Sequence, residues 1–414
     1  MGLKDVSTMP LDWHGQMETG LGGVPHDWRV GSLGSFWTVT DCKHVTARFI
    51  EDGYPVASIR EVQSRFVDLT KANQTTAQYY NVLVEGGRKP RVGDLIMSRN
   101  ATVGEVAQVA TWHPPFAMGQ DVCLLRKRSL DLSSDYLQAL FRSRIISGQL
   151  ADLMVGSTFK RVNVQQIRRL VVAMPEAVEQ TAIGQALSDA DALIESLEQL
   201  LAKKRQVKQG AMQELLTGRK RLPGFNDAWV LKRLGDISEI AIGRTPSRAN
   251  SALWGVGYKW LSISDLRSKV VTDSKEEITP LGAMAMQVIR KGTLLMSFKL
   301  SIGKLGFAGC DLYTNEAICS FTRLDASAEF LYYLLGRTDF ALYGKQAVKG
   351  FTLNKASLRA IELLLPSTAE QEAIAAILSD MDDDIDALEV RVAKCRVIKQ
   401  GMMQELLTGQ VRLV

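Results

Sequence analysis

At 414 residues the chain is long enough for two or three domains of about 100–200 residues each. Its 46% hydrophobic and 23% charged content is that of an ordinary globular protein, which excludes disordered, collagen-like and disulfide-dense classes. Fifty Lys and Arg against 45 Asp and Glu leave a net charge of +5, which permits contact with nucleic acid without requiring it.

The first 24 residues form a tail without the basic-then-apolar order of a signal peptide. No later apolar run approaches the ~20 residues of a membrane span. Five scattered cysteines lack CxxC spacing, so they suit neither a disulfide framework nor a zinc site. A cytoplasmic protein with reduced thiols is expected.

Residues 25–174 read as a mixed α/β unit. Asp94 to Ser98 is a short apolar run after a Gly-bearing turn, Val103 to Val109 partly alternates, and apolar residues recur at three and four from Ser134 to Met154. Residues 175–222 then read as one long helix. Pro175 stands before it and Gly218 where it should stop. Its apolar seam is Ile183, Leu187, Ala190, Ile194, Leu197 and Leu201, spaced alternately by four and three as in a coiled coil.

The pattern is then repeated. Residues 175–222 align with 366–413 at a constant offset of 191, without a gap, and 27 of the 48 positions are identical. Residues 223–365 repeat the first unit more loosely: Trp28…Leu33-Gly34 answers Trp229…Leu234-Gly235, and Met97-Ser98…Gly104 answers Met296-Ser297…Gly303. Thr293 to Ser297 is the matching strand and Ala328 to Val348 a matching helix. In 366–414 the second seam is Ile374, Leu378, Met381, Ile385, Leu388 and Val392, and Gly409 is the stop.

Both long helices are acidic early and basic late, as the helix dipole favours. Packed antiparallel, the acidic start of one lies on the basic end of the other, whereas parallel packing sets like charges together. The expected fold class is therefore α/β (α+β): two globular domains separated by two long antiparallel coiled-coil helices, related by a pseudo-twofold internal repeat. Ile183, Leu187, Ile194, Leu197, Leu201, Ile374, Leu378, Ile385, Leu388 and Val392 form the expected helix–helix or partner interface.

Catalytic signatures are missing. There is no GxxxxGK[ST] phosphate loop, since Gly303-Lys304 is followed by Leu305, and no glycine-rich dinucleotide or adenosyl loop. His113-Pro114-Pro115-Phe116 is one letter from the Asn-Pro-Pro-aromatic signature of amino-methyltransferases, but histidine cannot replace the donor–acceptor pair of the asparagine amide. A rigid turn is the better reading. The four histidines show no metal-ligand spacing, so neither a catalytic residue nor a metal ligand is expected.

The repeated Glu-Gln…Ile…Leu-Ser-Asp-x-Asp…Ile segments, each behind a unit with a Gly-Asp/Thr-Leu-Ile/Leu-Met-Ser strand, resemble the specificity (S) subunits of type I restriction-modification enzymes. The likeness runs from about Val24 to Val414. Gly243-Arg244-Thr245-Pro246-Ser247 followed by Trp260-Leu261…Asp265-Leu266 looks like the start of a target-recognition domain. The first unit departs there, with Asp41-Cys42-Lys43-His44.

The resemblance implies that residues 25–174 and 223–365 are target-recognition domains, each reading one half of a split site in double-stranded DNA. It also implies that the helices set the spacing and dock two methyltransferase (M) subunits, with two restriction/translocase (R) subunits completing the enzyme. S-adenosylmethionine, ATP and Mg would bind those partners and no cofactor this chain. A helix from about Ala177 to Gln209 spans roughly 50 Å at 1.5 Å per residue, enough to set two reading heads one or more ~34 Å DNA turns apart. Because the heads differ in sequence, an asymmetric bipartite target is expected.

Base readers must then be polar groups on the variable units. The candidates are Arg99, Asn100, Thr102, Lys160 and Arg161 in the first unit, with Arg244, Thr245, Arg248, Lys299, Ser301 and Lys349 in the second. The competing readings are a tandem coiled-coil scaffold that does not touch DNA and an autonomous methyltransferase. Salt-sensitive binding to duplex DNA separates the first from a DNA reader, and methyl transfer by the isolated chain would establish the second.

Overall fold

The computed structural model describes residues 16–19, 22–154, 161–343, 345–347 and 350–413. Two compact units are present: residues 1–198 with 390–414, and residues 199–389. Each unit therefore takes the first half of one long helix and the last half of the other, a division that cuts across the helical segments drawn from sequence.

In the first unit a four-stranded antiparallel sheet runs in the order Trp37–Asp41, Val122–Lys127, Leu95–Ser98, Val106–Gln108. A second small sheet orders Ala117–Met118, Tyr54–Ala57, Asn73–Thr75 and Phe49–Ile50. Arg29–Ser32 pairs with Val171–Met174, closing the unit just before the first long helix, Ala177–Leu215. The segment expected as one helix from Ser134 is two, Ser134–Arg142 and Arg144–Met154. The Ser143 hydroxyl breaks the run by donating to the Leu140 carbonyl (2.6 Å) and accepting from the Ile145 amide (3.2 Å).

The second unit repeats this plan with one strand more: Glu239–Ile242, Ile318–Thr322, Leu294–Ser297, Leu305–Ala308 and Val270–Val271. Trp254–Leu261 lies between Glu276–Ile278 and Tyr313–Thr314, and Val230–Arg233 pairs with Glu362–Leu365 before the second long helix, Thr368–Leu407. The helix expected over 328–348 covers only Ala328–Gly336, and Lys345–Ala347 is a strand paired with Gly350–Thr352. Gly336 weakens the helix, and the Asp339 carboxylate accepts from the Ala341 amide at 3.0 Å to start a separate 3-10 turn.

The start of each long helix is built into its own unit's core. Ile183 and Leu187 are buried with Trp28, Leu33 and Tyr136, and Leu406 and Leu407 from the end of the other helix join them. In the second unit Ile374 and Leu378 are buried with Leu234 and Phe330, together with Leu215 and Leu216. Each such side chain contributes about 1.5–3 kcal/mol on burial, so these helix starts are structural as well as spacing elements. The seam continues through buried Leu197, Leu201, Ile385 and Val392 and half-buried Ile194 and Leu388.

The helix halves pack antiparallel, as the charge order requires. In the first unit Glu198 pairs with Arg396 (2.6 Å) and Asp191 with Lys399. In the second Lys204 pairs with Asp384 (2.7 Å), Arg205 with Glu389 (2.5 Å) and Lys208 with Asp382. Both helices end at glycines in the left-handed region, Gly218 (φ 68°) and Gly409 (φ 72°).

The repeated Glu-Gln pair also has a defined task. Gln180 accepts from the Ser133 amide (2.9 Å) and donates to the Pro175 carbonyl (2.8 Å), while Gln371 accepts from Ser327 and donates to Pro366, both at 2.9 Å. Each glutamine thus ties the start of a long helix to the N-cap of the short helix beside it.

Candidate nucleic-acid interface

In the first unit the turn after Leu95–Ser98 is held from within. Ser98 Oγ donates to the Asn100 carbonyl (2.9 Å), the Asn100 side-chain oxygen accepts from the Ala101 amide (2.9 Å), and Ala101 is left-handed at φ 56°. Thr102 donates to Ser98 Oγ (3.2 Å) and accepts from Gln63 Nε2 (2.9 Å). Asn100 bridges Arg161, which pairs with Asp121 at 3.4 Å. Asn100, Thr102 and Arg161 are therefore brought together.

An open cleft of about 420 Å³ lies beside them, lined by Arg60, Gln63, Asn73, Thr102, Gln120 and Asp121 among others. Asn73 and Gln120 are exposed and carry the amide pair that reads adenine. Sequence reasoning missed both. The shared Gly53…Ile59 and Gln120…Cys123 phrases of the repeat mark the loops that carry or border them.

Arg99 sits elsewhere. It is buried, at 2% exposure, with its guanidinium 2.6 Å from Asp41 Oδ1. Its repeat counterpart is Phe298, also buried, so this position faces the interior in both units. Asp41, Cys42 and His44 each place a ligand atom within 4.8 Å of the others, a gathering that histidine spacing does not announce. Arg99 already supplies positive charge there, 3.8 Å from the Cys42 Sγ, and burial pushes the Cys42 thiol pKa up, away from the thiolate a metal needs. His113 accepts from the Ala110 amide at Nδ1 (2.9 Å), so its Nε2, 2.8 Å from the Val67 carbonyl, is the donor. One ring nitrogen closes the turn and the other ties it to Val67.

In the second unit the matching turn has Leu300 at its apex, left-handed at φ 62° and 63% exposed, with Gly303 at φ 85°. Ser297 Oγ donates to the Ser301 carbonyl and accepts from the Lys304 amide (3.0 Å). Lys299 lies over the Phe298 ring at 5.4 Å. Thr245 donates to Glu316, whose carboxyl is held below its ordinary pKa first by that bond, with Lys299 and Arg248 adding charge. Thr245, Arg248 and Lys299 therefore gather around one acid.

Arg248 is held firmly. It forks onto Glu276 (2.5 and 2.9 Å) and stacks on Trp254 at 3.7 Å. Trp260, edge-on to Trp254 with ring centroids 4.9 Å apart, lies 5.2 Å from the same guanidinium. Arg244 points an exposed side chain toward a separate cleft of about 990 Å³. Lys160 and Lys349 lie outside the described residues.

Among the described residues no helix is long and apolar enough to cross a membrane. Residues 25–204 and 226–393 match the family model described as "Type I restriction modification DNA specificity domain". The chain is 24% identical over 427 residues to the putative type I restriction enzyme MjaX specificity subunit of Methanocaldococcus jannaschii, covering 96% of each. In fold it is similar to the type I restriction-modification S subunit from M. genitalium, with a TM-score of 0.58 at 14% identity and coverage of 92% and 96%. It is also similar to the HsdS subunit from Thermoanaerobacter tengcongensis, with a TM-score of 0.50 at 19% identity, covering 95% of this chain and all of that one.

Proposed function

We propose, because this chain belongs to the type I restriction-modification DNA specificity family, that it reads an asymmetric bipartite site in duplex DNA and docks the methyltransferase and restriction subunits that act there. Sequence recognition in DNA is the family's task. The split, asymmetric form of the target is our reading of this chain.

The observation that carries it is the contrast between two homologous turns. Each leaves the same buried strand, passes through a left-handed apex at Ala101 or Leu300, and turns back at Gly104 or Gly303. The groups they offer differ: Asn100 and Thr102 beside the exposed amides of Asn73 and Gln120, against Lys299 and Ser301, with Lys299 near the Glu316 carboxylate that Thr245 also meets. One scaffold thus presents two chemistries, which suits two unlike half-sites. Backbone-holding cations would include Arg60 and Arg161 in the first unit and Lys299 in the second.

We assign no catalytic step to the chain. S-adenosylmethionine, ATP and Mg would belong to two M and two R subunits. The test is binding of the chain with its M subunits to a duplex carrying both half-sites, across a salt series. A steep fall in affinity with salt, and loss of binding when either half-site is scrambled, supports the reading. Salt-insensitive binding, or none, supports a scaffold instead.

A further inference from the structure

The edge strand of the main sheet is treated differently in the two units. In the first, Arg128 donates to the Phe36 carbonyl, so by the alternation of an antiparallel ladder the backbone groups of Val39 and Asp41 face outward. Both outward carbonyls are met: Arg168 donates to Val39 (2.7 Å) and Arg88 to Asp41 (2.9 Å). Arg126 then pins the neighbouring loop by forking onto Asp94 (2.9 and 2.7 Å) and reaching the Gly87 and Lys89 carbonyls. The chain covers its own edge.

In the second unit Gly243 donates to Ile318 (3.1 Å), so Ile240 and Ile242 are the outward residues. Arg359, the counterpart of Arg168, has no hydrogen-bonding partner among the described residues. Thr322 and Thr293 stand where the first unit has Arg126 and Asp94, too short to pin a loop. The edge opens instead on the cleft of about 990 Å³. Thr314 lines it with a buried hydroxyl that has no partner among the described residues. Among the described residues Arg244, Lys355 and Arg359 rim it without a paired carboxylate, whereas Glu239 is neutralised by Arg323 at 2.6 Å.

We propose that this cleft is the docking groove for an extended, acidic polypeptide segment of a partner subunit, which pairs with Ile240 and Ile242 as an added strand. Its carboxylates lie on Arg244, Lys355 and Arg359. A peptide fits better than a DNA backbone because the open edge presents both N–H donors and C=O acceptors. Phosphates accept only, and would leave the two carbonyls unmet. The inference rests on the assembly reading above.

The test is hydrogen exchange of the full chain, alone, then with its M subunits, then with target duplex added. Amides in the Glu239–Gly243 stretch should slow by at least about tenfold on assembly, before DNA is present. A Lys355→Glu/Arg359→Glu variant should lose that protection while still forming the complex on gel filtration. Protection only after duplex is added would put phosphates in the cleft and overturn the proposal, as would unchanged exchange in a complex that forms. If no complex forms, the assembly reading itself fails.

Discussion

Arg412 clasps the fully buried carboxylate of Glu179 with Nε at 2.5 Å and Nη2 at 2.7 Å, joining the end of the chain to the start of the first long helix. The same fork also reaches Asp27 at 3.1 and 2.8 Å, and Trp28 donates to the same glutamate at 3.2 Å. The second unit repeats the Arg–Glu–Trp part of it, with Ala228 in place of Asp27: Arg221 holds Glu370 at 2.7 Å through Nε and Nη2, and Trp229 donates at 3.2 Å. Each clasp joins the last residues of one helical segment to the first turn of the other.

Removing the arginine strands a buried charge. Arg412→Met should destabilise the first unit by roughly 2–3 kcal/mol, below the ~3–5 of a fully buried pair because Arg412 is about one third exposed. Glu179→Gln in the same chain should recover much of that, read from urea midpoints. Equal losses in single and double variants would contradict the clasp.

The same cluster gives a pH dependence with a definite sign. The Arg412 hydrogen bond is the main reason that the Asp27 carboxyl lies below its ordinary pKa, against an opposing push from burial. A depressed folded pKa contributes stability above the unfolded value of ~3.9 that is lost as pH falls through the folded one. Asp27→Asn should therefore flatten the acid loss of stability below about pH 4, measured as denaturation midpoint against pH. An unchanged slope would remove Asp27 from the account.

The two helix stops should differ in their tolerance of a methyl group. At Gly409 a Cβ would come within 2.4 Å of the Pro25 ring and 3.1 Å of Trp28, whereas at Gly218 the nearest atom, on Trp229, is 3.4 Å away. Gly218→Ala should then cost only the left-handed penalty of about 1–2 kcal/mol. Gly409→Ala should cost measurably more, with thermal melting as the readout.

Leu300 holds a left-handed backbone while more than half exposed. Leu300→Gly should raise the thermal midpoint, by up to about 1 kcal/mol in stability after glycine's own entropy cost. If the apex reads DNA, affinity for the duplex should fall in the same variant. A stabler protein with unaltered binding would take the apex out of the interface.

Substituting Asn73 or Gln120 by Ala should weaken binding by about 1–3 kcal/mol per lost bidentate contact. It should relax specificity in one half-site only, read from binding to duplexes varied one base pair at a time. Relaxation in both halves would contradict a one-unit, one-half-site division.

Much of this architecture is legible in the letters. The 191-residue offset exposes the repeat, and the acid-to-base order along each helix leads to the antiparallel pairs Glu198–Arg396 and Lys204–Asp384. Periodicity cannot tell a broken helix from a continuous one, so Ser143 and Asp339 were invisible as stops until their side chains found backbone partners. Nor does residue type say which way a turn residue points. Arg99 reads as a surface cation, yet Phe298 at the same place in the repeat is the signal that it faces inward. The amides of Asn73 and Gln120 come together only through the pairing of short strands far apart in sequence.

The most direct measurement is genome-wide mapping of methylated bases in a host carrying this chain with its methyltransferase subunits, compared with the same host lacking the chain. Loss of one split, asymmetric methylated motif on deletion is the result expected of a DNA-reading subunit with two unlike heads. An unchanged methylome in a strain shown to express the complex would contradict it.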